Sequence, residues 1–252
     1  MLTKRATTEF LGVEFSNLTT DEVLVELEKL SQCESFSFVV TPNVDHVVML
    51  HEHENEDIRK SFTDAYRTAA LRLCDSRILQ LLAKSRGIEL EVVTGSDLTA
   101  HLFTQGCLDG RRIAVIGGDT SLVEELRNRY PAIEITQHQP PMGIINDPAA
   151  CAQVVEFASQ SLCDYIFFAI GAPQSELIAH RCLTSGTARG VALCIGASIE
   201  FLLGRKARAP RWMQHAKLEW AFRLLSEPRR LWRRYLVVGP RVFRLALNRS
   251  EF

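Results

Sequence analysis

Five short apolar runs, set apart by stretches of helical character, constrain this chain more than any other feature. Phe36 to Val40, Arg112 to Ile116, Ile133 to Thr136, Tyr165 to Ile170 and Val191 to Ile195 are rich in Val, Ile or Phe, and most stop near Gly, Pro or Asn. Segments of that length and composition read as strands. Between them lie helical patterns over Asn43 to His51, Asp57 to Tyr66, Arg77 to Lys84, Pro148 to Ser159 and Pro173 to Leu183. Thr19-x-x-Glu22 and Ser121-x-x-Glu124 have the form of capping boxes and open two further helices. Strands alternating with helices predict an α/β fold: a Rossmann-like, largely parallel sheet with helices on both faces. In such sheets ligands bind beyond the carboxyl ends of the strands.

A chain of 252 residues has room for one large α/β domain and an appendage. Its 46% hydrophobic and 23% charged residues are those of an ordinary globular protein, which sets aside disorder and fibrous repeats. The stretch from Met1 to Phe10 is polar and lacks the apolar centre of a signal peptide. No run of 18 apolar residues occurs, so no spanning helix is expected. The seven cysteines are scattered without a Cys-x-x-Cys, the pattern of reduced, buried thiols in a cytosolic protein. The seven histidines form no His-Glu-x-x-His, and His51 and His53 sit in an acidic stretch, so no metal site is expected.

Charge divides the chain in two. From Met1 to Gly204 there are 16 basic and 27 acidic residues; from Arg205 to Phe252 there are 13 basic and 3 acidic, together with all three tryptophans. We therefore read 1–204 as an α/β catalytic domain and 205–252 as a basic, helical appendage that associates with a membrane. At 100° per residue, Arg229, Arg230, Arg233 and Arg234 fall on one arc of about 140°, and Leu231, Trp232, Tyr235 and Leu236 fill the opposite one. Pro228 suits a first helical position, and a preceding helix carries Leu218, Phe222 and Leu225 on one stripe. A solvated arginine face and core tryptophans are the plainer reading. Four arginines opposite four bulky apolar residues favour an anionic membrane surface instead. Nucleic acid is the rival anion, but no zinc-finger spacing, RNP-like motif or clear helix-turn-helix accompanies the tail.

Four loops follow strand ends or short apolar runs. Thr41-Pro42-Asn43 can donate to a phosphate or sugar, although Asn43 serves equally as a helix cap. Asp75, in Leu73-Cys74-Asp75-Ser76, can act as a general base, or again only as a cap. Gly117-Gly118 lets backbone amides approach an anion, yet lacks G-x-G-x-x-G and the P-loop lysine. Gly171-Ala172-Pro173 leads into a helix and is expected to expose Gln174, Ser175 and Glu176 at the sheet edge, or is simply a tight turn. Together the loops point to a nucleotide or phosphorylated ligand without naming a reaction.

A longer series of residues carries a family likeness. Gly196-Ala-Ser-Ile-Glu-Phe-Leu-Leu-Gly204, Arg208-Ala-Pro-Arg-Trp-Met213, Leu218-Glu-Trp220, Arg223-Leu-Leu225, Glu227-Pro-Arg-Arg230 and Arg234-Tyr235 resemble the WecG/TagA/CpsF glycosyltransferases of family 26. The likeness extends upstream through Thr41-Pro-Asn43, Asp75, Thr94-Gly-Ser-Asp-Leu98, Gly117-Gly118 and Gly171-Ala-Pro173. It implies an inverting enzyme at the cytoplasmic face of the bacterial inner membrane. Such an enzyme moves a hexose, N-acetylhexosamine or related sugar from a UDP-sugar to a lipid-linked glycan, a sugar on polyprenyl diphosphate, without metal or other cofactor. The resemblance makes Asp75 the general base and places Thr41, Asn43, Thr94, Gly117, Gly118, Gly171, Pro173, Gln174, Ser175 and Glu176 around the substrates. Arg205, Arg208, Arg211, Arg230, Arg233 and Arg234 are the candidates for diphosphate and membrane contacts. The chain departs from the family pattern at Ser76, where Gly is common, at Val92, where Arg is usual, and at Gln174 and Ser175, which replace Lys and Gln of a G-x-P-K-Q-E turn. Several extra residues also stand around His51 to Asp57. These departures motivate an alternative, a non-catalytic subunit that binds a sugar nucleotide or lipid diphosphate. Whether the protein is a homo-oligomer stays open.

Overall fold

A computed structural model describes residues 7–207, 209–210, 213 and 218–247; Arg208, Arg211 and Trp212 lie outside the described residues, as do the side chains of Arg230 and Arg234. The chain opens with an antiparallel hairpin, β1 (Thr7–Phe10) and β2 (Val13–Ser16). There follow α1 (Thr20–Ser31), β3 (Ser37–Val40), α2 (Val44–Glu52), α3 (Glu56–Thr68), β4 (Leu71–Arg72), α4 (Arg77–Lys84) and α5 (Gly95–Thr104). The second half runs β5 (Arg112–Gly117), α6 (Thr120–Arg129), β6 (Glu134–His138), α7 (Pro148–Gln160), β7 (Tyr165–Ala169), α8 (Gln174–Ser185), β8 (Val191–Cys194) and α9 (Ser198–Leu202). Within the tail lie α10 (Glu219–Ser226), α11 (Pro228–Trp232), a π-helical turn over Arg233–Val238 and α12 (Arg241–Leu247).

β3 to β8 form one parallel sheet in the order β4-β3-β8-β7-β5-β6. Successive side chains of a strand leave opposite faces, and the buried clusters divide accordingly. Phe38, Val40, Ala114, Ile116, Ile166, Phe168, Ala192 and Cys194 meet the β1–β2 hairpin and helices α2, α3, α7 and α8. Val39, Ile113, Val115, Tyr165, Phe167, Val191 and Leu193 meet α1, α5, α6 and α9. Burial on both faces explains why these strands read as continuous apolar runs rather than alternating ones. Each fully buried phenylalanine of β7 contributes roughly 1.5–3 kcal/mol.

The sheet order places a switch point between β5 and β7. From β5 the chain turns to α6 and outward to β6; from β7 it turns to α8 and back toward β8. The connections that leave their carboxyl ends therefore run in opposite directions, the topology at which α/β sheets hold ligands.

Local chemistry corrects some expectations. The expected box at Ser121 is not the cap of α6: the Asp119 side chain accepts the Leu122 N–H at 2.7 Å, and Ser121 donates to Asp119. At Thr19 the reciprocal box with Glu22 is formed as expected. The hairpin and the two-residue β4 carry too little apolar pattern to be read from sequence. In the tail, the α-helix starting at Pro228 ends at Trp232 and gives way to the π turn, so a 100° wheel loses phase from Arg233 onward. Leu231 is buried, whereas Trp232 and Leu236 remain half exposed at 51% and 56%. The last helix also reaches the body of the protein: Val242 and Ala246 join the cluster that contains α2. Arg241 and Arg244 pair with Glu52, and Arg233 pairs with Glu54 at 3.5 Å. Both acidic partners lie between His51 and Asp57.

Candidate active site

Asp75 is set at the rim of the sheet by backbone pairing that outlasts β4. Leu73 N–H donates to the Val40 carbonyl and Asp75 N–H to the Pro42 carbonyl, both at 2.9 Å, while Cys74 accepts from Val93 N–H at 3.0 Å. The half-buried Asp75 carboxylate accepts the Gly95 N–H at 3.4 Å, at the start of α5. Two hydroxyls complete the cluster. A methyl on Gly95 would stand 3.3 Å from Ser198 Oγ and 3.4 Å from Thr41 Oγ1, so the lack of a side chain there lets three loops converge. Thr41 is buried and donates to the Cys194 carbonyl at 3.0 Å; Ser198 donates to the Ile195 carbonyl at 2.6 Å. Cys74 is no rival nucleophile, because burial pushes its thiol up to about 12.

Three neighbours prove to be caps as well. Asn43 Oδ1 accepts Asp45 N–H at 3.0 Å and His46 N–H at 3.4 Å, so the plainer reading of this residue holds in the fold. Thr94 caps α5 by accepting the Asp97 N–H at 3.0 Å and returns its hydroxyl to the Asp97 carboxylate at 2.7 Å. Ser76 caps α4 by accepting the Leu79 N–H at 3.2 Å, which gives its presence after Asp75 a local reason.

The second cluster lies further along the same edge of the sheet, at the carboxyl ends of β5 and β7. Gly117 has φ of 102°, and a Cβ there would come within 2.6 Å of Ile170 Cγ2 and 2.9 Å of the Ala169 carbonyl. Only glycine allows β5 and β7 to close so tightly at this end. Gln137 Nε2 donates to the carbonyls of Gly117 and Asp119 at 3.0 and 3.2 Å and pins the Gly117-Gly118 loop. Arg205 reaches the same loop, donating to Asp119 at 3.0 Å, to Glu125 at 2.8 Å and to Ser121 at 3.0 Å. Its guanidinium is thus bound to two carboxylates, the cap of α6 and Glu125 within that helix.

Gly171 is exposed, and the Ala172–Pro173 peptide that follows is cis. Gln174 is half-buried at the head of α8. The expected exposure of Ser175 and Glu176 is not found; both are 2% exposed, because the first turn of α8 points them beneath the β3 and β8 ends. Ser175 Oγ donates to Glu176 Oε2 at 2.8 Å, and His46 Nε2 stands 4.0 Å from Glu176 Oε1. Burial pushes the Glu176 carboxyl up to about 7, the Ser175 bond offsetting part of that. Sequence reasoning missed Gly95, Gln137, Ser198 and His46 as members of this region. His46 had one legible signal, its place three residues after the cap Asn43; Gly95 and Ser198 stood within two of the motifs that carry the family likeness, and Gln137 gains meaning only from the topology.

The arrangement offers one rim carboxylate beside a backbone N–H and hydroxyls, with a glycine loop at the switch point on the same edge of the sheet. It can take a proton from a hydroxyl while a polar, phosphate-bearing partner occupies the neighbouring loops.

The model of the "Glycosyl transferase WecG/TagA/CpsF family" matches residues 8–251. An N-acetylglucosaminyldiphosphoundecaprenol N-acetyl-beta-D-mannosaminyltransferase of Staphylococcus aureus (strain MW2) is 25% identical over 239 residues, 90% of this chain and 88% of that protein. One of the same name from Bacillus spizizenii (strain ATCC 23059 / NRRL B-14472 / W23) is 28% identical over 150 residues, 58% of this chain and 56% of that protein.

Proposed function

This chain belongs to the WecG/TagA/CpsF family of glycosyl transferases, and on that premise we propose that it moves a hexose, N-acetylhexosamine or related sugar from a UDP-sugar to a sugar carried on polyprenyl diphosphate. The product feeds assembly of a bacterial surface polysaccharide. The names of the relatives support an N-acetylhexosamine donor and an N-acetylglucosaminyl-diphospholipid acceptor, and the β configuration in those names supports inversion.

The observation that carries the reading is Asp75, fixed at the sheet rim by Pro42 and Gly95. Its carboxylate takes the proton of the acceptor hydroxyl as that oxygen bonds to the anomeric carbon. The bond from that carbon to the diphosphate oxygen breaks on the opposite face, and UDP leaves with the electron pair. Backbone N–H groups around Gly117-Gly118 and arginines of the tail meet the charge that develops there, with no metal or other cofactor. Held in place, the reacting groups gain most of their advantage from proximity and orientation.

A lipid-borne acceptor and a UDP-sugar donor support a peripheral protein working at the cytoplasmic face of the inner membrane. Among the described residues no helix is long and apolar enough to cross a membrane. Exposed Trp232, Leu236 and Phe243 beside Arg233 and Arg244 supply apolar and cationic contacts for a headgroup layer.

The test is a UDP-release assay with a panel of UDP-sugars, a polyprenyl-diphosphate N-acetylglucosamine acceptor and a chelator. Acceptor-dependent release that survives the chelator and disappears in Asp75→Asn is expected. Release undiminished in Asp75→Asn removes Asp75 as base, and loss of release in chelator removes the metal-free mechanism.

A further inference from the structure

One buried contact joins the two loop clusters. Glu176 sits in the first turn of α8, and its Oε1 lies 4.0 Å from His46 Nε2 in α2. On the other side of the ring, His46 Nδ1 accepts the N–H of Asn43 at 3.2 Å, which leaves Nε2 to carry the proton of the neutral imidazole. Asn43 answers by accepting the N–H groups of Asp45 and His46. The residue before it, Pro42, holds Asp75 through the 2.9 Å backbone bond. A carboxyl on the β7–α8 connection therefore reaches the backbone that positions Asp75 in three steps. No step passes through solvent: Glu176 is 2% and His46 8% exposed.

A carboxyl buried this deeply is costly unless it has partners, and a cap or surface pair would leave it at the helix end in water. Ser175 supplies one hydrogen bond. At 4.0 Å the imidazole makes an electrostatic contact rather than a hydrogen bond, strengthened by the low dielectric around it. Tyr66 of α3 and Cys194 of β8 also stand near Glu176. Burial holds the phenol and the thiol well above their ordinary values, so both stay neutral and neither competes for His46 as a charge.

We infer that Glu176 is a positioning residue for glycosyl transfer: it orients the His46 ring, the ring holds the Asn43 turn, and the turn holds Asp75 against the acceptor hydroxyl. Glu176 itself touches no substrate. The inference deepens the reading of Asp75 as base and rests on it.

The experiment combines kinetics with an observable independent of turnover. Full-length wild type, Glu176→Gln, His46→Gln and the double variant are compared at pH 8 by UDP release with the lipid acceptor. The His46 ring nitrogens are followed by 15N NMR in wild type and Glu176→Gln. Glu176→Gln should lower kcat roughly tenfold to a hundredfold, the size of a misplaced reacting group. The donor KM should stay within about twofold, since ground-state binding is untouched. The double variant should lose no more than the worse single variant. The Nε2–H tautomer, set by the Asn43 N–H, should persist, while the Nε2 resonance that faces Glu176 should shift in Glu176→Gln. Wild-type kcat with an unshifted Nε2 resonance in Glu176→Gln overturns the inference. So does a rate loss that only tracks loss of folded protein, the outcome of a merely structural role. If wild type releases no UDP with any donor, the glycosyl-transfer reading fails separately. The Nε2 resonance then decides the tie alone: a shift in Glu176→Gln supports it and an unchanged ring overturns it.

Discussion

Replacing Glu176 by Gln should make the protein more stable at alkaline pH. Burial raises the folded-state pKa of Glu176 from the ordinary 4.5 to about 7. Between those values the folded protein keeps a proton that the unfolded chain has released, so stability declines as pH rises. The contribution is whole below pH 4.5 and lost once pH passes about 7. The interval corresponds to about 3 kcal/mol. For a chain of this size each kcal/mol moves Tm by roughly 2–4 °C, so the loss amounts to roughly 6–12 °C. Gln resembles the protonated acid in shape and charge and does not titrate. Thermal denaturation of wild type and Glu176→Gln, run in parallel from pH 4.5 to pH 8.5, isolates this group from all others that titrate. The two Tm values should agree near pH 4.5 and separate above pH 7, with the variant higher. Parallel curves across the range would refute the claim that desolvation governs this carboxyl. Taken with the kinetic expectation, the variant is sturdier and slower at pH 8, opposite signs that a residue serving only the fold cannot produce.

Asp75→Asn should lower transfer by roughly 10²–10⁴, the range for loss of a general base; its Tm should hardly change, because the backbone bond to Pro42 survives and an amide oxygen can still accept from Gly95. Gly117→Ala forces a methyl to 2.6 Å from Ile170 at φ of 102°, and urea unfolding should register roughly 2–5 kcal/mol of destabilisation; a variant as stable as wild type would mean that β5 and β7 do not close as described. Ser76→Ala removes the cap of α4 and should cost about 1 kcal/mol in the same assay. Charge reversal at Arg233 and Arg244 should weaken flotation with anionic liposomes while leaving Tm within a few degrees, since exposed pairs such as those with Glu54 and Glu52 contribute about 0–1 kcal/mol each; undiminished flotation would remove the tail's polar face from membrane binding.

Much of the fold was legible because the sheet is buried on both sides. β5, β7 and β8 announce themselves as apolar runs, and the residues just after them are where the candidate site lies. The edge elements were not legible: β4 has two residues, and its role in carrying Asp75 comes from pairing with β3 rather than from its own composition. The tail shows the limit of periodicity. Pro228 marked the start of α11, but the π turn after Trp232 changes the angular step that the arginine stripe assumed. Asp75 could be singled out only through the family likeness, since an aspartate before a helix is ordinarily a cap. In the fold that capping task belongs to Ser76 instead, which leaves the Asp75 carboxylate for Gly95 and the rim.

The departures from the family pattern acquire unequal weight once they are placed. Ser76 caps α4, a task confined to backbone amides of its own helix. Val92 pairs by a parallel bridge with Cys74, so its backbone helps hold the strand segment that carries Asp75. Ser175 is buried and bonded to Glu176, and so serves the positioning pair rather than the site surface. Gln174 is different. It stands half-buried at the mouth of the β7–α8 turn, beside exposed Gly171, at the position where the family resemblance leads one to expect a lysine. An uncharged amide there removes one cation from this edge of the sheet but keeps a donor and an acceptor for a neutral group. A change in donor preference would therefore be expected to trace to Gln174, and Gln174→Lys is the substitution that should shift the ranking of UDP-sugars while Ser76→Gly leaves it unchanged.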